Sequence, residues 1–219
     1  MIRLFDILLS IIALIILLPI LLPICIILGL TGEREIFYLQ ERVGKDLTKF
    51  KLYKFATMLK NSENMGAGAI TVKGDPRVLP FGRFLRKSKI NELPQLINIL
   101  IGDMSFVGPR PLLSKQFNFY DSHDQIKISS VKPGLTGVGS LVFRDEERFF
   151  ENSENPDRIY KEKISPIKAE LEMWYVRNES FFLNIRIILS TFLAVIFPNK
   201  SFIKFISNEL KYKYERLLG

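Results

Sequence analysis

The sequence predicts an α-rich α+β protein attached to a membrane. Three observations carry that prediction: an apolar run from Ile7 to Leu30, apolar residues at helical spacing between residues 92 and 101 and again after 181, and two short apolar and aromatic runs on either side of Gly44. The 219 residues suffice for one sizeable domain with appendages and are too few for two once a membrane segment is subtracted.

The N-terminal element, "ILLSIIALIILLPILLPICIILGL", is apolar except for Ser10, Pro19, Pro23 and Gly29. As a straight helix it would extend roughly 36 Å, against a hydrocarbon core of about 30 Å. It is too long for the apolar core of a signal peptide, and no small-residue cleavage site precedes "GERE", so cleavage is not expected. Pro19 and Pro23 each remove a backbone donor, which predicts a sharp break. By residues alone, a kinked spanning helix and a re-entrant one are equally compatible with that break.

Next, "IFYLQERVGKDLTKFKLYKFATM" reads as a hairpin or as a strand leading into a helix, and "NSENMGAGAITVKGDPRVLPFG" as a loop. Its "GAG" lacks the third glycine and the βαβ setting of a dinucleotide fingerprint. The strongest helix is 92–101, with Leu93, Leu96, Ile97 and Leu100 on one face and Gly102 at its end. Asn91 would cap it, with Glu92 in the first turn and Pro94 tolerated there. "SFVGPRPLL" sets Arg110 between two prolines that fix the backbone around it. Gly134, Gly137 and Gly139 read as turn residues. Residues 181–197 form a helix too short and too early interrupted by arginine to span well, suited to an interfacial or core-packing role. The tail after Ser201 is amphipathic. The division expected is 1–32 for the membrane segment, 33–180 for the globular domain and 181–219 for the amphipathic helices.

Composition narrows the function. The chain is 47% hydrophobic with mean hydropathy +0.15, yet carries net charge +8 and a pI near 9.5. That pairing favours a membrane protein with a basic face over a nucleic-acid binder, for which no motif is present. Cys25, the single cysteine, excludes an intramolecular disulfide and a cysteine metal cluster. His123, the single histidine, leaves a histidine triad or multi-histidine metal site short of parts and reads as a surface residue.

The chemistry concentrates around residues 83–110. A helix start offers unpaired donors to a phosphate, and Arg83, Arg86, Lys87, Lys89 and Arg110 add the positive charge that a diphosphate requires. A carboxylate there could ligand Mg²⁺ or attack phosphorus. The same residues also fit a plain helix start beside a headgroup-binding surface.

These motifs resemble those of the bacterial sugar transferase family, the small monotopic phosphoglycosyl transferases. The similarity runs through "RLFDILLS", "QERVG", "KLYKFATM", "GDPRVLPFGRFLRKSKINELPQLINILIGDMSFVGPRPLL" and "KPGLTG". It implies transfer of a sugar 1-phosphate from a UDP-sugar to undecaprenyl phosphate with Mg²⁺, at the cytoplasmic face of the bacterial inner membrane. It also implies a re-entrant N-terminal helix amid membrane lipids, no nucleic acid, and leaves oligomeric state open. By resemblance the catalytic and metal-binding dyad is Asn91 and Glu92. Arg86, Arg110, Lys54, Gly134, Thr136 and Gly137 are the substrate- or phosphate-binding candidates. Three positions depart from the family pattern: Leu18 before Pro19, Ala56, and Asn91 where an aspartate nucleophile is expected. An amide is not a competent nucleophile at neutral pH. Glu92 as nucleophile, direct reaction of the two substrates, and a catalytically silent scaffold are the readings that follow. Asp103 and Asp145, Glu146 and Glu147 are candidates to replace the missing carboxylate.

Overall fold

A computed structural model of the protein describes residues 2–65, 74–144, 146–150, 156–197 and 200–211. The apolar run forms helix α1, Ile2–Leu30, which passes through Pro19 and Pro23 where the sequence predicts a sharp break. Each proline deletes one donor and favours a bend without having to end the helix, and at a spacing of four the two share one face. α1 is long and apolar enough to cross a membrane and is mostly exposed.

Both ends of α1 are nevertheless fastened to the rest of the chain. Arg3 donates to the carbonyls of Ile99 and Leu100, and the Asp6 carboxylate accepts from Ser105 Oγ and the Phe106 amide, each at 3.1 Å. The middle of the helix, at Ala13, Leu14 and Leu17, packs on Leu52, Leu96, Ile99 and Met104. Toward its C-terminus Ile24 and Leu28 pack on Phe55 and Leu85.

The runs around Gly44 form the hairpin that their alternation predicts, β1 (Phe37–Val43) antiparallel to β2 (Lys49–Phe55). Asp46 and Leu47 take positive φ in its turn. The following loop is described to Met65 and again from Gly74, so "GAG" lies outside the described residues. Arg77 holds its two parts together: the guanidinium pairs with Asp75 and donates to the carbonyls of Ser62 and Met65, both at 2.7 Å. Helix α2, Pro80–Lys87, starts on a proline, where a missing donor is harmless.

A 3₁₀ turn, Ile90–Glu92, then precedes helix α3, Gln95–Ile101. The helix therefore begins three residues later than expected, and Asn91 is not its cap. Lys89, at φ +59°, turns the chain before Asn91, and Pro94 is the residue that leads into α3. The inner face differs as well: Gln95, Leu96, Asn98 and Ile99 are buried, because α3 is packed between α1 and β2 rather than against one neighbour. Asn98 is satisfied there, accepting from the Tyr53 amide and donating to the Lys51 carbonyl. Gly102, at φ +106°, ends the helix as expected.

Strand β3, Ser105–Val107, pairs in parallel with β4, Gly134–Thr136, with helices α4 (Ser114–Phe117) and α5 (Ser122–Ser129) between them. Gly134 and Gly137 serve close packing: a Cβ would stand 2.1 Å from the Gly108 nitrogen in the first case and 2.2 Å from its carbonyl oxygen in the second. His123 is on the surface beside Asp124.

Helix α6 (Val138–Val142) and a 3₁₀ turn at Glu146–Phe150 lead to α7 (Pro156–Ile159). A π turn, Tyr160–Ile164, joins α7 to α8 (Ser165–Asn178). Helix α9, Phe181–Ile196, buries Leu183, Ile187 and Ala194 and exposes Phe182, Leu189, Phe192 and Val195. It packs on one face and leaves an apolar surface on the other. The short α10, Ile203–Ile206, buries both of its isoleucines, and the tail from residue 212 lies outside the described residues. The principal core lies between α6, α8 and α9.

Candidate active site

Alternation along the hairpin aims Tyr38, Gln40 and Arg42 of β1, and Lys54 opposite Tyr38 on β2, into a cavity of 960 Å³. The 3₁₀ turn adds Asn91 and Glu92, α2 adds Arg86, and the segment after β3 adds Arg110. Lys54, from one sequence motif, and Arg86, Asn91, Glu92 and Arg110, spread along another, all line this one cavity. Thr136 lines it too, with its hydroxyl 2.6 Å from that of Thr191. Gly134 and Gly137 do not; they pack behind it against Gly108.

Glu92 is the electrostatic centre. Burial would raise its pKa, but the Arg110 charge, with those of Lys54 and Lys89, holds the carboxyl at about 2. Arg110 reaches Glu92 Oε1 across 3.3 Å. Burial pulls the Lys54 ammonium down to about 7 against the opposing charge of Glu92, and Arg42 down to about 10, where Arg110 adds repulsion. The site thus carries one firmly ionised acid among cations whose mutual repulsion a polyanion would relieve. Asn91 is buried beside it, and among the described residues its Oδ1 finds no hydrogen-bond partner.

Arg110 is set by helix α8 as well as by its prolines. Glu172 is 2% exposed, and its Oε1 accepts from the Arg110 amide at 3.3 Å. Tyr175, one turn on, donates to the Val107 carbonyl. Burial pushes the Glu172 carboxyl up to about 7. Between the ordinary carboxylate range and pH 7 the folded chain therefore binds more protons than the unfolded chain, and folding stability falls as pH rises through that interval. A Glu172→Gln variant keeps an acceptor for the Arg110 amide but cannot ionise. Its stability relative to wild type should rise by roughly 2–3 kcal/mol between pH 4.5 and pH 8, read from urea melts at each pH. Parallel profiles would show that Glu172 does not titrate there.

Of the replacement carboxylates expected from the sequence, Glu146 lines the cavity with Glu92, and the side chain of Glu147 lies outside the described residues. Asp103 accepts from Asn98 at the far end of α3, and Asp145 lies outside the described residues. Glu146 is tied to Lys168 at 2.7 Å. Arg42, Glu172, Lys168 and Tyr160 were missed. The available signal for the helix pair was the spacing of Lys168 and Glu172, four apart in "KAELE". For Arg42 it was the alternation of "YLQERV".

Comparison with known proteins finds relatives of the chain. The chain is 33% identical over 204 residues to a UDP-N-acetylgalactosamine-undecaprenyl-phosphate N-acetylgalactosaminephosphotransferase of Aeromonas hydrophila, covering 89% of this chain and 43% of that protein. It is 37% identical over 194 residues to an uncharacterized sugar transferase, EpsL, of Bacillus subtilis, covering 89% and 86%. It is 32% identical over 174 residues to an undecaprenyl-phosphate galactose phosphotransferase of Salmonella typhimurium, covering 73% and 33%. The chain thus spans less than half the length of the first and third of these relatives and most of the second. The sequence pattern of the family described as bacterial sugar transferase matches residues 1–198, and the chain belongs to that family.

Proposed function

We propose that the protein transfers a sugar 1-phosphate from a UDP-sugar to undecaprenyl phosphate, releasing UMP and starting assembly of a lipid-linked glycan. The observation that carries this reading is the firmly ionised Glu92 carboxylate, facing Arg110, Lys54 and Arg42 in a cavity whose other wall is the apolar side of α9, at Ile188, Phe192 and Val195. A diphosphate matches the cations, and a prenyl chain matches the apolar wall. The relatives from Aeromonas and Salmonella carry names that specify undecaprenyl phosphate as acceptor.

With an amide at position 91, the nucleophile is best supplied by the acceptor. The lipid phosphate is already anionic, so its oxygen can attack the sugar-bearing phosphorus without a base. The bond from that phosphorus to the bridging oxygen breaks, and UMP leaves with the electron pair. Arg110 and Arg86 orient the diphosphate, and Lys54 takes up positive charge as the phosphates approach. Asn91 Oδ1, buried and unpartnered, and the Glu92 carboxylate are hard oxygen donors of the kind that Mg²⁺ takes, so these residues fit the ion. When bound, Mg²⁺ would neutralise phosphate charge.

The membrane helix inserts from the cytoplasmic side without crossing. Its 29 residues extend about 44 Å, and the globular domain touches them at Arg3 and Asp6 as well as at Ile24 and Leu28. A crossing helix would carry that polar domain into lipid. Single cysteines placed at positions 3 and 32 should be labelled from the same side, and labelling from opposite sides would overturn this topology. The activity is tested by incubating the full chain with radiolabelled UDP-sugars, undecaprenyl phosphate and Mg²⁺. Labelled lipid and UMP are expected, with no sugar-phosphate adduct in the intact-protein mass. An adduct on Glu92 would instead establish a covalent route, and no turnover with any donor would favour the silent scaffold.

A further inference from the structure

Beyond the phosphate-facing end, the cavity has a second polar region that the reaction as derived does not use. Tyr160 is 2% exposed, and among the described residues its hydroxyl has no hydrogen-bond partner; the buried Ser140 Oγ has none there either. Both residues line the cavity that holds Arg110 and Glu92. Leaving a buried hydroxyl unpaired is unfavourable, so two such atoms lining one cavity call for a ligand that pairs them. Tyr160 also opens the π turn that joins α7 to α8, an irregularity that recurs at functional sites.

The neighbours define what that ligand is. Glu146 lines the same cavity, fixed by Lys168 at 2.7 Å, and the Lys168 ammonium lies 5.3 Å from the centre of the Phe143 ring and 5.0 Å from that of Tyr160. Hydroxyls that both donate and accept, beside a carboxylate that accepts, suit alcohol groups. A phosphate there would face the Glu146 carboxylate and be repelled. Glu146 and Tyr160 are also near enough to influence the Arg110 charge, so a group bound between them is contiguous with a diphosphate held at Arg110.

We propose that Tyr160 and Ser140, with Glu146 beside them, form the subsite that hydrogen-bonds the hydroxyl-bearing hexose ring of the donor. This rests on the transferase reading above. The test uses the full chain in lipid nanodiscs, with Tyr160→Phe and Ser140→Ala compared with wild type. KM is measured for the UDP-hexose that wild type transfers, together with inhibition by UMP, which lacks the hexose. Each variant should raise KM about tenfold, as loss of one useful hydrogen bond does, while inhibition by UMP is unchanged. The melting temperature should not fall, because each deleted hydroxyl bonds to none of the described residues. Unchanged KM in both variants overturns the subsite. Parallel weakening of UMP inhibition also overturns it, by placing the nucleoside's ribose there instead. Failure of wild type to transfer any sugar phosphate would refute the parent reading, and is distinct from variants that behave like an active wild type.

Discussion

Glu92→Gln should lower sugar-phosphate transfer by at least about 100-fold while the protein stays folded, the scale of loss seen when one preorganised charge is removed from a reacting centre. The amide preserves size and still accepts from Arg110, but it withdraws the only anion that the turn at residues 90–92 offers. Because the Glu92 carboxyl sits at about 2, its charge is present throughout the range in which enzymes are assayed. Its own titration should therefore put no acidic limb into the rate profile above pH 5. The sign for stability follows from the depressed value: the contribution is present above the ordinary carboxylate range and is lost as pH falls toward 2. Initial rates with radiolabelled donor, alongside thermal melts of both proteins, provide the check. A Gln variant that transfers at the wild-type rate would remove Glu92 from the chemistry.

Arg110→Lys is the second large effect, and it separates charge from shape. Lysine keeps a cation near Glu92, so the carboxyl stays ionised, but it replaces a planar fork of donors by a single point charge on a different stem. The main-chain amide that donates to Glu172 is unaltered, so the segment after β3 should keep its course. We expect KM for the UDP-sugar to rise about tenfold and kcat to fall about 100-fold, with little change in melting temperature. Steady-state kinetics with the donor varied at saturating lipid acceptor measure both. A variant with wild-type kcat and raised KM would show that Arg110 only binds the donor.

The parts of the fold that were legible in the sequence are those set by near neighbours. The hairpin follows from alternation on either side of Gly44, and α9 from its apolar spacing and the proline after it. The end of α3 follows from Gly102. Its beginning was misplaced because Asn91, Glu92 and Pro94 satisfy every local rule for a helix start, while the actual geometry depends on the left-handed turn at Lys89. The strands β3 and β4 are three residues each, too short to leave a period, and they pair because Gly134 and Gly137 let backbones meet at Gly108. Motif likeness found Lys54, Arg86 and Arg110. It could not find Glu172, which meets Arg110 across 62 positions of sequence, nor the unpaired hydroxyl of Tyr160, since a missing partner leaves no trace in a string of residues.

The fastening of α1 bears on how the protein is made. Its contacts through Arg3 and Asp6 join residues 96 to 100 positions apart, so the helix is synthesised well before the surfaces that hold it exist. During that interval lipid is the only partner able to cover its apolar length. A bilayer that takes up the helix first would leave the globular domain to assemble onto an embedded segment. A chain released without membrane would have to keep α1 from aggregating until Ile99 through Phe106 had emerged. Refolding from denaturant should accordingly depend on when vesicles are added, with high yield when they are present from the start and aggregation when they come late.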